Sequence, residues 1–275
     1  MKLSYKTLKI AIGTIIDRSE AKLDRSIHKP FNNRVLLSSP TEFISKLSEQ
    51  TCLAESEALS ILNSINSSKV LEQIDTELQK NLPDSRYKAL GTFRYNKGWI
   101  SILESIYGMV RLLKPNLVVE TGVGEIGMSS TYILTALEDN NKGHLYSVDP
   151  DKFYSLYGYH VGSGIPGNLR KRHTLVRDIS QTSLVPLLRN IGHIDVFLHD
   201  GDHRFKTKLF EYETAYKYLN SGGVIISDDT WDSAFDLFVR KYKINGYSIK
   251  YGTNAFFRLH IFETMFDKLS LPTNA

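Results

Sequence analysis

Cysteine is almost absent from this chain: Cys52 is the only one in 275 residues. A lone thiol excludes an internal disulfide framework and a thiolate zinc cluster, and it fits a reducing, cytoplasmic setting. Also missing is any run of the roughly 18 apolar residues that a membrane-spanning helix needs. The apolar stretch Ile10 to Ile16, behind the basic Lys2 to Lys9, is short, and charge resumes at Asp17 with no small-residue cleavage site. That pattern argues against a signal peptide. An excess of one charge is lacking too. The 34 Lys and Arg against 30 Asp and Glu leave +4, with no concentrated basic stripe of the kind a nucleic-acid partner would call for. Neither an internal repeat nor a low-complexity segment is present. What remains is a globular composition, 41% hydrophobic and 23% charged, long enough for one large domain or two small ones.

The pattern changes character near residue 115. Before it, apolar residues recur at helical spacing: Leu53, Ala54, Ala58, Leu59, Leu62 and Ile65, then Val70, Leu71, Ile74 and Leu78, then Ile100, Leu103, Tyr107 and Val110. Pro115 ends the last of these helices. Residues 1 to about 40 are basic and weakly periodic and carry no assignment. After Pro115, short apolar runs alternate with helical ones. Strands are expected at Leu117 to Glu120, Leu145 to Asp149, Thr174 to Val176, Ile194 to Leu198 and Gly222 to Asp229. Helices are expected at Met128 to Leu137, Leu184 to Leu188, Leu209 to Leu219 and Ala234 to Tyr242, and a hairpin pairs Tyr247 to Tyr251 with Ala255 to Ile261. Such alternation implies an α/β fold with a Rossmann-like, mostly parallel sheet covered on both faces. Sheets of this kind bind ligands beyond the carboxyl ends of their strands.

At the first of those ends stands Gly122-Val123-Gly124-Glu125-Ile126-Gly127, between a strand and a helix. Glycines permit a sharp turn and close backbone approach to a ligand, and the helix start offers free N–H groups to an anion. Taken literally the motif is a dinucleotide fingerprint, with Asp149 available for a ribose. It also suits S-adenosylmethionine (SAM), because Glu120, two positions before the first glycine, can face a cationic amino group. A plain strand-to-helix turn is the unadorned alternative.

The order Val119-Glu120-Thr121-Gly122-Val123-Gly124, Ser147-Val148-Asp149, Val196 to His203, and Gly222-Gly223 with Ser227-Asp228-Asp229 resembles a class I SAM-dependent methyltransferase. The likeness is to methyltransferase family 24, related to cephalosporin-hydroxylase-like and sugar O-methyltransferases, and it covers roughly residues 95–262. It implies a seven-stranded sheet with an antiparallel last strand in a domain spanning 95–275, behind a helical extension of residues 1–94. The extension is expected to contribute to the acceptor pocket or to a dimer interface, which would make the protein a homo-oligomer. The resemblance further implies that Glu120 faces the methionine amino group, that Gly122 and Gly124 meet the cofactor backbone, and that Asp149 takes the ribose hydroxyls. Ser129, in the helix opening, would receive the methionine carboxylate. Asp178 would approach the adenine, although Arg177 replaces the glycine usual before it.

Asp200 and Asp202 follow the fourth strand of this series, and Asp228 and Asp229 end the fifth. Neighbouring strand ends lie about 4.8 Å apart, so such carboxylates invite a proton or a hard divalent cation between them. Relatives among the sugar enzymes place magnesium on acids matching Asp200, Asp228 and Asp229, with Asp200 also bordering the cofactor. Adjacent residues of a strand point to opposite faces, so Asp228 and Asp229 share an ion only if the chain bends; otherwise Asp228 caps the next helix. Asp202 resembles the general base of those enzymes, and His203 is the other candidate base. His199 is expected to be structural. The Gly- and Tyr-rich Tyr154 to Lys171 reads as an adaptable lid. Tyr95, Lys97 and Trp99 could close over the methionine end, and Arg170, Lys171 and Arg172 form a solvated basic trio or a site for an anionic acceptor. The expected activity is methyl transfer to a hydroxyl of a small molecule or sugar, without nucleic-acid or membrane partners. An NAD-dependent oxidoreductase and a non-catalytic SAM-binding protein remain the alternatives.

Overall fold

The computed structural model describes residues 27–29, 35–37, 41–42, 44–45, 55–90, 97–151, 154–228, 230, 232–250 and 258–263. A short strand β1 (Val35–Leu37) precedes four helices: α1 (Glu55–Asn63), α2 (Ser67–Asn81), α3 (Asp84–Leu90) and α4 (Lys97–Leu113). Asn66 separates α1 from α2 by capping the latter, its side chain accepting from the Lys69 N–H at 3.0 Å. Val70, Ile74 and Leu78, spaced four residues apart, form the buried stripe of α2.

From Pro115 onward strands and helices alternate: β2 (Leu117–Thr121), α5 (Met128–Asp139), β3 (His144–Val148), β4 (His173–Val176), α6 (Ser180–Ile191), β5 (Ile194–His199), α7 (Phe205–Tyr218), β6 (Leu219–Ser227), α8 (Ala234–Tyr242), β7 (Asn245–Lys250) and β8 (Arg258–Glu263). Together with β1 they build one sheet in the order β1-β7-β8-β6-β5-β2-β3-β4. β8 runs antiparallel to β6 and β7, and the other pairings are parallel. The sheet therefore has eight strands among the described residues, not seven. The addition is β1, inside the first 40 or so residues of the extension, which carried no assignment; three residues are too few to display an alternation.

Strand side chains alternate between two cores. Val118, Val196, Leu198, Val224 and Ile226 pack with α4, α5 and the buried faces of α1 and α2, whereas Val119, Phe197 and Ile225 pack with α6, α7 and α8. Burial on both faces explains why these strands read as unbroken apolar runs. Ile74 and Leu78 share a core with Val123 and Ile165, so the helices before residue 95 and the sheet are packed together. The order reverses between β2 and β5, and a crevice at the carboxyl ends of such a pair is the place where doubly wound sheets take ligands.

Candidate active site at the carboxyl edge of the sheet

The residues that follow β2, β3, β5 and β6 each extend the ladder by one bond. Gly122 N–H donates to Val148 O at 2.9 Å, Asp149 N–H to Val176 O at 3.1 Å, Asp200 N–H to Thr121 O at 2.8 Å, and Asp228 N–H to His199 O at 2.8 Å. Gly122, Asp149, Asp200 and Asp228 are thereby brought to one edge. Gly122 has φ +82°, and a Cβ there would lie 2.0 Å from the Asp200 carbonyl oxygen. Only glycine allows the two loops to touch. Gly124 (φ +64°) differs: a Cβ on it would meet nothing within 4 Å, so its outer side is open to a ligand.

Glu120 lies beneath this loop and is fully buried. Ser130 and Ser147 donate to its Oε1, the latter at 2.6 Å, and Ser129 donates to Oε2 at 3.4 Å. Burial pushes its pKa up to about 7 against the pull of the serine hydroxyls. Ser129 thus answers Glu120 from the first turn of α5. Asp149 Oδ2 accepts from the N–H groups of Val123 and Gly124, at 2.8 and 3.0 Å. Burial raises the Asp149 pKa and these N–H groups oppose the rise. The acid after β3 is consequently part of the scaffold of the glycine loop.

Asp178 stands just before α6, its carboxylate accepting from the Ile179 N–H at 2.8 Å and the Thr182 hydroxyl at 2.7 Å. The segment expected as a lid is instead a wall. The N–H groups of Gly162, Ser163 and Gly164 donate to the carbonyls of Gly124, Glu125 and Ile126 at 2.9 to 3.0 Å, and Val161, Ser163 and Ile165 are buried. Asp151, which the sequence gave no reason to single out, anchors that wall. It accepts from Val161 N–H, His160 Nδ1 and Arg177 Nε at 2.8, 2.7 and 3.1 Å. The basic trio is engaged as well: Arg170 donates to Gly162 O, while Lys171 and Arg172 pair with Glu138. Trp99 packs against the core, and Tyr95 lies outside the described residues.

After β5, Asp202 is gripped by Arg204, whose Nε sits 2.8 Å and Nη2 2.6 Å from Oδ2, and by the Thr207 hydroxyl at 2.9 Å. Partial burial favours its neutral form, but the Arg204 and Thr207 hydrogen bonds outweigh this and hold the carboxyl below its usual range. Asp202 Oδ2 is thus committed to Arg204 and Thr207, and His203 is half-buried in the same loop. His199 is fully buried, as its place within β5 suggested. Its Nδ1 donates to Glu211 Oε2 at 2.6 Å, Thr121 Oγ1 donates to the same oxygen at 2.5 Å, and its ring meets that of His203 edge-on at 5.6 Å. Glu211 and Lys208, three residues apart on a buried face of α7, could have been noticed as charges within a helix that must pack on the sheet. Lys208 pairs at 3.0 Å with Asp232, in the stretch between β6 and α8.

The magnesium set finds two described carboxylates, Asp200 and Asp228, while Asp229 lies outside the described residues. Among the described residues no three His, Cys, Asp or Glu side chains converge so as to hold a metal ion. No helix among the described residues is long and apolar enough to cross a membrane.

Residues 119–230 match a family model described as a methyltransferase domain. A 51-residue stretch is 35% identical to an uncharacterized protein of Acanthamoeba polyphaga mimivirus, covering 18% of this chain and 23% of that one. Among solved structures, the O-methyltransferase from Bacillus cereus in complex with S-adenosylhomocysteine (SAH) superposes with a TM-score of 0.47 at 14% identity, over 71% of this chain and 90% of its own. The SAH-bound methyltransferase PaMTH1 of Podospora anserina gives 0.46 at 13%, over 70% and 86%. TomG of Streptomyces achromogenes, in complex with SAM, gives 0.44 at 12%, over 84% and 92%. The matched residues run from the strand bearing Glu120, through the glycine loop, to just past β6, and over that stretch the chain is similar to a methyltransferase domain.

Proposed function

We propose that this protein transfers the SAM methyl group to a hydroxyl of a small molecule, with residues 95–275 as the catalytic domain and residues 1–94 as an extension that helps to form its site. The observation that carries the reading is the contact between the two loops of the switch point. The Asp200 carbonyl lies where a Gly122 side chain would be, so the stretch Asp200 to His203 borders the loop that would hold the methyl donor.

Roles follow from position. The open side of Gly124 and the Asp149 carboxylate face the adenosine portion of the cofactor, with Asp178 farther along. Glu120 and Ser129 lie toward its amino-acid end, and Asp200 borders it. When bound, SAM supplies a methyl on a cationic sulfur, which passes to the acceptor oxygen in one displacement and leaves a neutral thioether. The chain's own work is to align the acceptor and take its proton. Alignment contributes several kcal/mol of barrier reduction, and His203 accepts the hydroxyl proton, a task typically worth about 10²- to 10⁴-fold. Asp202, fastened to Arg204, holds the His203 loop in shape.

Calorimetric titration with SAH and with NAD tests the cofactor. SAH is expected to bind; NAD binding with none for SAH would establish the oxidoreductase alternative instead. Turnover with a panel of small hydroxylated acceptors, in the presence and absence of chelator, tests the rest. Loss of activity with chelator would support magnesium assistance through Asp200, Asp228 and Asp229, retained activity would remove it, and SAH binding with no turnover on any acceptor would favour the non-catalytic reading.

A further inference from the structure

Glu125 lies between the glycines of the cofactor loop, and its carboxylate reaches out of that loop to Arg86 on α3. Arg86 Nε donates to Oε1 at 2.6 Å, and a terminal guanidinium nitrogen donates to Oε2. This is a two-pronged match that a point charge could not reproduce. Glu125 is 8% exposed while the Arg86 side chain is 42% exposed. The anion has lost most of its water and depends on the guanidinium, whose own pKa is raised chiefly by this hydrogen bond. A second clasp lies alongside. Asn81 Nδ2, at the end of α2, donates to Ser163 O at 2.8 Å, and a Cβ on Gly164 would stand 3.0 Å from Ile74 and 3.2 Å from Leu78. Ser163 and Gly164 are the residues whose N–H groups bind the carbonyls of Glu125 and Ile126. The cofactor loop and its wall therefore form one backbone-paired unit, and α2 and α3 hold both halves of it from outside.

We propose that Arg86 is a positioning residue for the cofactor loop. It draws the Glu125 carboxylate away from the cationic sulfur and ammonium of the ligand, and it fixes the loop before the ligand arrives. Three glycines with positive φ give this loop unusual freedom (Gly122, Gly124 and Gly127). Ordering it in advance lowers the entropic cost of binding. A free carboxylate in the same loop would also compete with Asp149 and Glu120 for the positive groups of the ligand. Coupling of this kind is reciprocal, so a ligand that orders the loop also orders α3. The inference rests on the SAM reading for the ligand's identity, but the loop's dependence on Arg86 does not.

The test compares the full-length protein with Arg86→Gln and Arg86→Lys by hydrogen exchange, SAH titration and thermal denaturation. Arg86→Gln is expected to speed amide exchange in Val123 to Ile126 and in Gly162 to Gly164 without ligand, leaving the central strands protected. It should weaken SAH binding about tenfold or more with only a small shift in Tm, and Arg86→Lys should recover part of that loss. In the wild type SAH should slow exchange in α3; in Arg86→Gln that protection should vanish. Unchanged loop exchange in Arg86→Gln overturns the proposal, and so does unchanged SAH affinity in that variant where the wild type binds SAH. Affinity that falls only in step with Tm, with no rescue by lysine, overturns it too. If the wild type fails to bind SAH while Arg86→Gln still loosens the loop, the cofactor reading falls and the positioning role stands.

Discussion

Asp149 Oδ2 accepts hydrogen bonds from the backbone of Gly124 and of its neighbour Val123, so the acid that ends one strand shapes the glycine loop that ends the next. A ligand entering this edge would meet a loop already bent around a carboxylate. Hydrogen bonds to an ionised group contribute about 1.5 to 3 kcal/mol each. Asp149→Ala should therefore weaken SAH binding by about 10- to 100-fold. Asp149→Asn, which keeps an acceptor but not the charge, should fall between. Calorimetry checks the order, and an alanine variant with wild-type affinity would remove Asp149 from the cofactor site.

The two glycines of the loop should respond very differently to alanine. Gly124 carries the strain of positive φ alone, since its Cβ would meet open space, and Gly124→Ala should cost about 1 kcal/mol of stability. Gly122→Ala adds a collision with the Asp200 backbone and should cost several-fold more or fail to fold. For ligand binding the expectation reverses in kind: Gly124→Ala folds but blocks the approach of the cofactor. Urea denaturation and SAH titration on both variants distinguish the two effects.

The sequence made the inner strands legible because a parallel sheet buried on both faces leaves unbroken apolar runs, and Leu117 to Thr121 and Ile194 to His199 stand close to where that pattern put them. The acids at their ends were legible for the same reason: the strand ends define the ligand edge. Shorter elements were not. β1 has three residues, and α3, which starts just after Pro83, buries none of its side chains and so shows no apolar stripe. β6 begins at Leu219 rather than at the glycine pair, through pairing of Leu219 with Ile194 across a register shift. Partnerships at the site stayed hidden because they are tertiary. Nothing near Glu125 announces Arg86, 39 residues earlier, and nothing in the Asp-Gly-Asp spacing reveals that Arg204 occupies Asp202. Gly162 and Gly164, read as a sign of adaptability, serve close packing against the loop instead.

Glu120 and His173 should tilt the pH dependence of stability in opposite directions. They are linked through Ser147, whose hydroxyl donates to Glu120 at 2.6 Å and lies 2.8 Å from His173 Nε2. Burial raises Glu120 from 4.5 to about 7, so the folded state holds more protons than the unfolded one between those values. Its contribution is full below about 4.5 and is lost as pH rises toward 7. Burial lowers His173 from 6.5 to about 4; the unfolded state then holds more protons, and stability rises with pH across that window. Glu120→Gln should remove the falling component, raising stability at pH 8 relative to pH 5, and His173→Gln should remove the rising one. Thermal denaturation from pH 4 to 8 reads both slopes.

His203→Gln should lower kcat by about 10²- to 10⁴-fold with little change in SAH affinity if it takes the acceptor proton. Asp202→Asn should cost much less, because Asp202 is held ionised by Arg204 and lies below the range useful to a base. A loop effect would appear instead as a higher KM for the acceptor. The opposite ranking, with Asp202→Asn crippling kcat and His203→Gln tolerated, would return the role of base to Asp202. The pH profile of kcat adds a second check, since loss of a histidine base abolishes the acidic limb.

The loop leading from β6 to α8 is tied to α7 by Lys208 and Asp232, both essentially without solvent contact. Asp232 also accepts from the Ala234 N–H at 2.8 Å, which starts α8. Removing one member of a buried pair leaves the other charge desolvated without its counter-ion, at a cost of about 3 to 5 kcal/mol. Lys208→Met should therefore destabilise by that amount. Lys208→Met combined with Asp232→Asn should recover much of it, because the asparagine keeps an acceptor for Ala234 and buries no charge. Urea titration of both variants and of Asp232→Asn completes a double-mutant cycle. Additive losses in that cycle would mean that the two side chains stabilise the loop independently.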